Sequence, residues 1–171
     1  ALDILPDCTY FKVDEDKVGI RNEVMASIRD DYPDVKVVWR VWFKEYNLLT
    51  DEEIIRIAYT INDGNSAPLQ YCTDVVYLDL GHNDDISDIS FLANMPKLEC
   101  LILSGTAIRD LSPLENCSKM VWLELCFCYY VTDLSATANM RDLKYLNVSY
   151  TQVTDLSPLD GIALELFNCL H

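Results

Sequence analysis

Basic residues are scarce in this chain: 13 Lys and Arg stand against 28 Asp and Glu, a formal charge of −15. Such a surface repels phosphate backbones, which excludes nucleic acid as a partner. The imbalance is even, with 15 acids and 8 bases in residues 1–74 and 13 and 5 in residues 75–171, so no acidic tail is present. Histidine is scarcer still. His82 and His171 are the only two, which leaves little for acid–base catalysis. Five glycines, at 19, 64, 81, 105 and 161, match neither G-x-G-x-x-G nor a phosphate loop. No run approaches the roughly 18 apolar residues that span a bilayer, so no transmembrane segment is expected. The first residues also lack the basic start and apolar core of a signal peptide. What remains is a globular composition, 50% hydrophobic over 171 residues, enough for one domain with a core.

What is present is an internal repeat. Val75-x-x-Leu78-x-Leu80, Leu98-x-x-Leu101-x-Leu103, Met120-x-x-Leu123-x-Leu125 and Leu143-x-x-Leu146-x-Val148 share one spacing, stepping by 23, 22 and 23 residues. Ile86, Ile108, Val131 and Val153 keep the same step, each followed two residues on by Asp88, Asp110, Asp133 or Asp155 and then by a Leu/Ile-Ser pair. A third column holds Cys72, Met95, Cys117 and Met140. The alternating L-x-x-L-x-L part predicts a short strand with its leucines on one face. Asp-Leu-Ser-Pro-Leu, at 110–114 and 155–159, predicts a 3₁₀ turn on the return stroke, with serine as the N-cap and proline at the first helical position. Stacked repeats then share one parallel sheet and one apolar core.

These repeats resemble those of internalin-type bacterial leucine-rich-repeat proteins, above all Ile108-x-Asp110-Leu111-Ser112-Pro113-Leu114 and Val153-x-Asp155-Leu156-Ser157-Pro158-Leu159. The resemblance covers about residues 67–168. It implies an α/β solenoid, a right-handed superhelix with a concave parallel sheet and short convex turns, that binds a protein on its concave face. It also implies a secreted or cell-surface location; a cytoplasmic one is the alternative. The family's asparagine position holds Asn83, Thr106, Cys128 and Thr151, so one repeat alone keeps Asn.

Residues 1–74 are expected to form divergent N-terminal repeats with two helices, capping the four regular repeats and one shortened repeat of 75–171; an independent α+β domain is the alternative. Pro6-Asp7 and Pro33-Asp34 each precede a strand-like run, Thr9–Val13 and Lys36–Phe43. Asn22 is expected to cap a helix carrying Val24, Met25 and Ile28. Thr50 and Glu53 read as a capping box before a helix carrying Ile54, Ile57, Ala58 and Ile61. At the other end Leu164-Glu165-Leu166 reads as a strand arriving about four residues early by the repeat spacing, with an end covered by a partner or by further chain.

Candidate chemistry is thin. The odd count of seven cysteines leaves at least one thiol unpaired, and Cys72 and Cys117 occupy a core column. Cys126-x-Cys128 has no second pair or histidine at zinc spacing, and Asp84 and Asp85 lack the oxygen series of a calcium loop. Neither cofactor, metal nor catalytic residue is expected, and the chain reads as non-enzymatic. The outward positions of the strands are richer. They place Tyr77, Trp122 and Tyr145 in one column with Cys100, and Asp79, Glu124 and Asn147 in the next with Ile102, with Phe127 and Tyr150 beyond. Aromatic anchors beside carboxylates suit a protein or peptide partner. Two other readings are a structural spacer in a larger surface protein and a carbohydrate-binding or glycan-processing surface. Against the last, Asp79 and Glu124 stand two strands apart, roughly 10 Å by strand spacing, wide even for an inverting carboxylate pair.

Overall fold

The computed structural model describes residues 11–14, 17–43 and 46–170, which divide into two compact units between Trp39 and Arg40. The first unit holds an antiparallel hairpin, β1 (Phe11–Asp14) and β2 (Lys17–Gly19), and one helix, α1 (Asn22–Asp31). Val24, Met25 and Ile28 share its half-buried face, as the spacing predicts. Asn22 is the first helical residue and not the cap, which is Arg21. Its carboxamide oxygen accepts a hydrogen bond from the Trp39 indole N–H at 3.0 Å, so it serves packing instead. Part of the run Thr9–Val13 lies outside the described residues.

The second unit begins with an antiparallel hairpin, β3 (Arg40–Phe43) and β4 (Tyr46–Leu49), and continues as a six-stranded parallel sheet. Its strands follow chain order: β5 (Ile54–Arg56), β6 (Tyr77–Asp79), β7 (Cys100–Ile102), β8 (Trp122–Glu124), β9 (Tyr145–Asn147) and β10 (Leu166–Asn168). In place of longer helical repeats at the N-terminus, β1–β4 therefore form hairpins outside the parallel sheet. Val41 and Phe43 alternate inward on β3 and are fully buried, and β3 lies against the 3₁₀ turn Ala67–Tyr71. Together they close the core at its first repeat.

The segment expected as a second helix is β5. Ile54, Ile55 and Ile57 are β-branched, which lowers helix preference and suits a pleated surface. Ile55 stands 23 residues before its register partner Leu78, so the sheet starts one repeat before residue 75. The helical spacing of 54, 57, 58 and 61 is a local signal that this pairing outweighs. At the far end the inward residue of β10 is Phe167, paired with Leu146. The last repeat thus reads Leu164-x-x-Phe167-x-Cys169. It is shorter than its neighbours by one or two residues rather than four.

The repeat columns of 75–171 pack as expected: Leu78, Leu101, Leu123 and Leu146 are fully buried, with Ile55 added to their column, and Cys72, Met95, Cys117 and Met140 are sealed beneath the turns. The return strokes are 3₁₀ turns at Ala67–Tyr71, Ser90–Asn94, Ser112–Leu114, Ser135–Asn139 and Ser157–Leu159. The serines do not cap them. Each serine is the first residue of its turn, and its N–H donates to the aspartate two residues earlier: Ser90 to Asp88, Ser112 to Asp110, Ser135 to Asp133 and Ser157 to Asp155, at 2.7–2.8 Å. The aspartate column is therefore the cap, an Asx-type bond that satisfies a turn's orphan N–H. These hydrogen bonds hold the Asp133 and Asp155 carboxyls below their ordinary acidity range.

The asparagine column is buried throughout. The Asn83 carboxamide oxygen accepts the N–H groups of Thr60 and Ile61, and its nitrogen donates to the carbonyls of Ile57 and Leu80, which ties two repeats together. Thr106, Cys128 and Thr151 make shorter versions of this link. Thr106 and Thr151 hydroxyls donate to Leu103 and Val148 carbonyls, and the Cys128 thiol to Leu103. A small donor suffices where the carbonyl three residues back, or one in the preceding repeat, is the group to be satisfied.

Candidate functional site

Parallel register turns the outward positions of β5–β9 into straight columns. Tyr77, Cys100, Trp122 and Tyr145 face one another across consecutive strands, and so do Asp79, Ile102, Glu124 and Asn147. Arg56 heads the second column on β5, its guanidinium 4.7 Å above the Tyr77 ring. The expected face therefore exists as a continuous surface, though its members differ in what they expose. Trp122 is 39% exposed, Tyr77, Asp79, Glu124 and Tyr145 are half-buried, and Asn147 is buried. The Asn147 carboxamide accepts the Ser149 N–H at 3.0 Å and is largely occupied by its own loop.

Glu124 is held in place. Its two carboxylate oxygens accept hydrogen bonds from the Ser104 hydroxyl at 3.1 Å and the Tyr145 hydroxyl at 3.5 Å. Asp79 accepts the Gly81 N–H at 3.0 Å. Both carboxylates reach Cys100 on the strand between them. Burial, then Asp79 and Glu124, push that thiol up to about 11, against the opposing pull of Arg56. Cys126 and Cys128, neighbours in sequence, point to opposite sides: Cys126 lies half-buried at the surface and Cys128 is in the core.

Phe127 and Tyr150 lie beyond the strands, at the bend that ends each one. There the backbone turns left-handed, with φ of 61° at Tyr59, 61° at His82, 71° at Gly105, 62° at Phe127 and 58° at Tyr150. The bend continues the ladder: His82, Gly105, Phe127 and Tyr150 N–H groups donate to Ser104, Cys126, Ser149 and Leu170 carbonyls. Only one of these five positions carries glycine, the residue for which positive φ is free of cost. The other four are aromatic and exposed. Their rings stack in pairs, Tyr59 on His82 at 5.6 Å and Phe127 on Tyr150 at 4.6 Å.

Sequence reasoning missed Tyr59, His82, Tyr129 and Tyr130 as members of this rim. Tyr129 is 56% exposed and tilts against Phe127, and Arg109 lies 3.9 Å above the exposed Tyr130 ring. The signal was available. Residues 59, 82, 105, 127 and 150 step by 23, 23, 22 and 23, which is the repeat period itself.

Residues 73–116 match the leucine-rich-repeat family pattern in its two-copy form. Among curated proteins none matches the chain. Among solved structures the chain is similar to an internalin, InlF, of Listeria monocytogenes, with 26% identity over 82% of this chain and 46% of that one, at a TM-score of 0.58. It is also similar to internalin C2 of the same organism, with 22% identity over 85% of this chain and 62% of that one, at a TM-score of 0.63. A leucine-rich-repeat protein of Leptospira interrogans shares the fold at 13% identity over 59% of this chain and 26% of that one, with a TM-score of 0.54. The chain thus spans about half of the InlF structure and under two thirds of the internalin C2 structure. Repeat length, turn chemistry, parallel register and these likenesses agree: the chain is a leucine-rich-repeat solenoid similar to the internalins.

Proposed function

We propose that the chain is a non-enzymatic interaction module that binds a protein partner on the concave face of its sheet. It does so at the bacterial surface or after secretion, as the internalin resemblance implies. Leucine-rich-repeat solenoids commonly mediate protein–protein interaction, and the outward columns of β6–β9 supply what such contacts use. The observation that carries this reading is the flanking of Glu124 by two exposed aromatic residues, Trp122 and Phe127, at opposite ends of one outward run on and just beyond β8. Exposed indole and phenyl groups give large rigid contact area, and a carboxylate between them gives direction and charge selection. Tyr77, Asp79, Tyr145, Asn147 and Tyr150 extend the same surface.

The test is capture of the partner from the native source by the wild type, by Trp122→Ala and by Glu115→Ala on a convex turn. Loss with Trp122→Ala alone is the expected result. Equal capture by all three overturns the concave-face assignment and favours a spacer whose aromatic columns only stack.

A further inference from the structure

Across the sheet, β7 is the odd strand. Strands β5, β6, β8 and β9 carry a large side chain at the first outward column, Ile54, Tyr77, Trp122 and Tyr145, and an aromatic one at the left-handed bend. On β7 both places are small, Cys100 and Gly105. The repeat is therefore a trough across the face. At one end Tyr77 and Trp122 stand on either side of Cys100. At the other, His82 and Phe127 stand on either side of Gly105, where a Cβ would meet only His82, at 3.6 Å or beyond. Midway, Asp79 and Glu124 stand on either side of Ile102.

The dimensions select the occupant. The walls are two strand spacings apart, about 9.6 Å, and two aromatic stacking steps of about 4.5–5 Å fill that width with one planar group. Along the trough Cys100 and Ile102 are two residues apart, about 6.6 Å, the repeat of alternate side chains in an extended peptide. At the other end Gly105 follows Ile102 by three residues and stands in the left-handed bend. Between the carboxylates, Ile102 offers an apolar floor for an aliphatic stem whose charged head reaches outward. Glu124 and Asp79 are both fixed by hydrogen bonds, so a planar guanidinium meets oriented acceptors. The chain's own cation on this face, Arg56, lies on the far side of β6 above Tyr77. Burial pushes the Cys100 thiol up, and Asp79 and Glu124 on either side add to that push.

We propose that the trough along β7 binds an extended segment of a partner protein in which an arginine has a planar aromatic residue on each side, two positions away at the Cys100 end. This rests on the concave face being the binding surface and specifies the chemistry that surface selects. The arginine lies between Asp79 and Glu124, and the two rings enter the Tyr77–Trp122 and His82–Phe127 slots.

The probe is the capped pentapeptide Tyr-Ser-Arg-Ser-Tyr, titrated into the labelled full chain and followed by backbone amide shifts. Saturable shifts are expected at Gly81, Ile102, Ser104, Gly105 and Cys126. Replacing arginine by the neutral, isosteric citrulline, or Glu124 by Gln, is expected to weaken binding by about tenfold or more. Glu124→Gln keeps one oxygen to accept from one of the two hydroxyls and offers its amide N–H to the oxygen of the other, and an unchanged melting temperature serves as its folding control. Equal affinity of the citrulline peptide, shifts gathered on the convex turns, or no saturable shift overturns the proposal. If the native partner is captured in a Trp122-dependent way while the pentapeptide gives no saturable shift, the trough assignment falls and the concave face stands. If capture ignores Trp122, it is the concave face itself that falls.

Discussion

The indole of Trp122 lies flat on the ring of Tyr145, with centroids 3.6 Å apart and planes 15° from parallel. The two residues are register partners on β8 and β9, whose backbones are about 4.8 Å apart. The rings are thus closer than the strands that carry them, so the two side chains lean toward each other. One face of the indole is covered by Tyr145, and the other looks toward the small Cys100.

Two neighbours on one strand separate packing from recognition. Leu123 is fully buried between Leu101 and Leu146, and Leu123→Ala is expected to cost about 2–5 kcal/mol, because a central repeat loses contacts on both sides. Trp122→Ala removes one aromatic stack, about 0.5–1.5 kcal/mol. Urea unfolding of both variants measures the difference. Equal losses contradict the inward placement of Leu123 and the outward placement of Trp122.

Asn83 is the only asparagine left in its column, and its bonds are not shared with any neighbour of the same type. Asn83→Ala leaves two N–H groups and two carbonyls without their partner near the start of the sheet. A loss of about 1–3 kcal/mol is expected. Amide hydrogen exchange should rise first at Thr60 and Ile61, whose N–H groups the side chain held. Unchanged protection there would show that water replaces the side chain.

The thiols should label in a fixed order. Among the described residues Cys169 is exposed and reacts first with a maleimide at neutral pH; Cys72, Cys117 and Cys128 are buried and react only after unfolding. Cys100 is half-buried, and burial together with the two carboxylates holds its thiol up to about 11. Its native labelling is therefore slow at neutral pH and accelerates as pH rises toward that value. Peptide mapping by mass spectrometry reads each site. Fast labelling of Cys100 at pH 7 contradicts the placement of Asp79 and Glu124.

The capping aspartates make a small pH-dependent contribution. Hydrogen bonds from Ser135 and Ser157 lower the folded pKa of Asp133 and Asp155 below the ordinary value of 3.8. Each contribution is then fully present above that value and is lost as pH falls through the lower folded one. The melting temperature of the wild type should exceed that of Asp133→Ala and Asp155→Ala at neutral pH. The gap should close as the pH falls below 3.8 and through the lower folded values. A gap that persists below them would assign the effect to the backbone turn alone.

Most of the solenoid was legible because its period is written three times over. Any residue in the leucine columns is constrained by identical neighbours one repeat away, so sequence spacing translates directly into register. The β5 repeat escaped because its local pattern satisfied a helix equally well, and only pairing with β6 separates the two. The serine caps were misassigned for a related reason: Ser and Asp both stand at capping distance, and the backbone conformation decides which one supplies the oxygen.

The sequence by itself determined the fold class, the core columns and which residues face outward from the strands, since alternation along a strand and repetition between strands leave no freedom in either. The tertiary structure alone decided what the outward residues do to one another. The left-handed bend that lines up His82, Gly105, Phe127 and Tyr150 depends on carbonyl acceptors in the next repeat, and the stacking of Trp122 on Tyr145 depends on the register of β8 and β9. The trough along β7 arises because Cys100 and Gly105, five residues apart and chemically unrelated, fall in one repeat, while the repeats of β6 and β8 carry rings at both places.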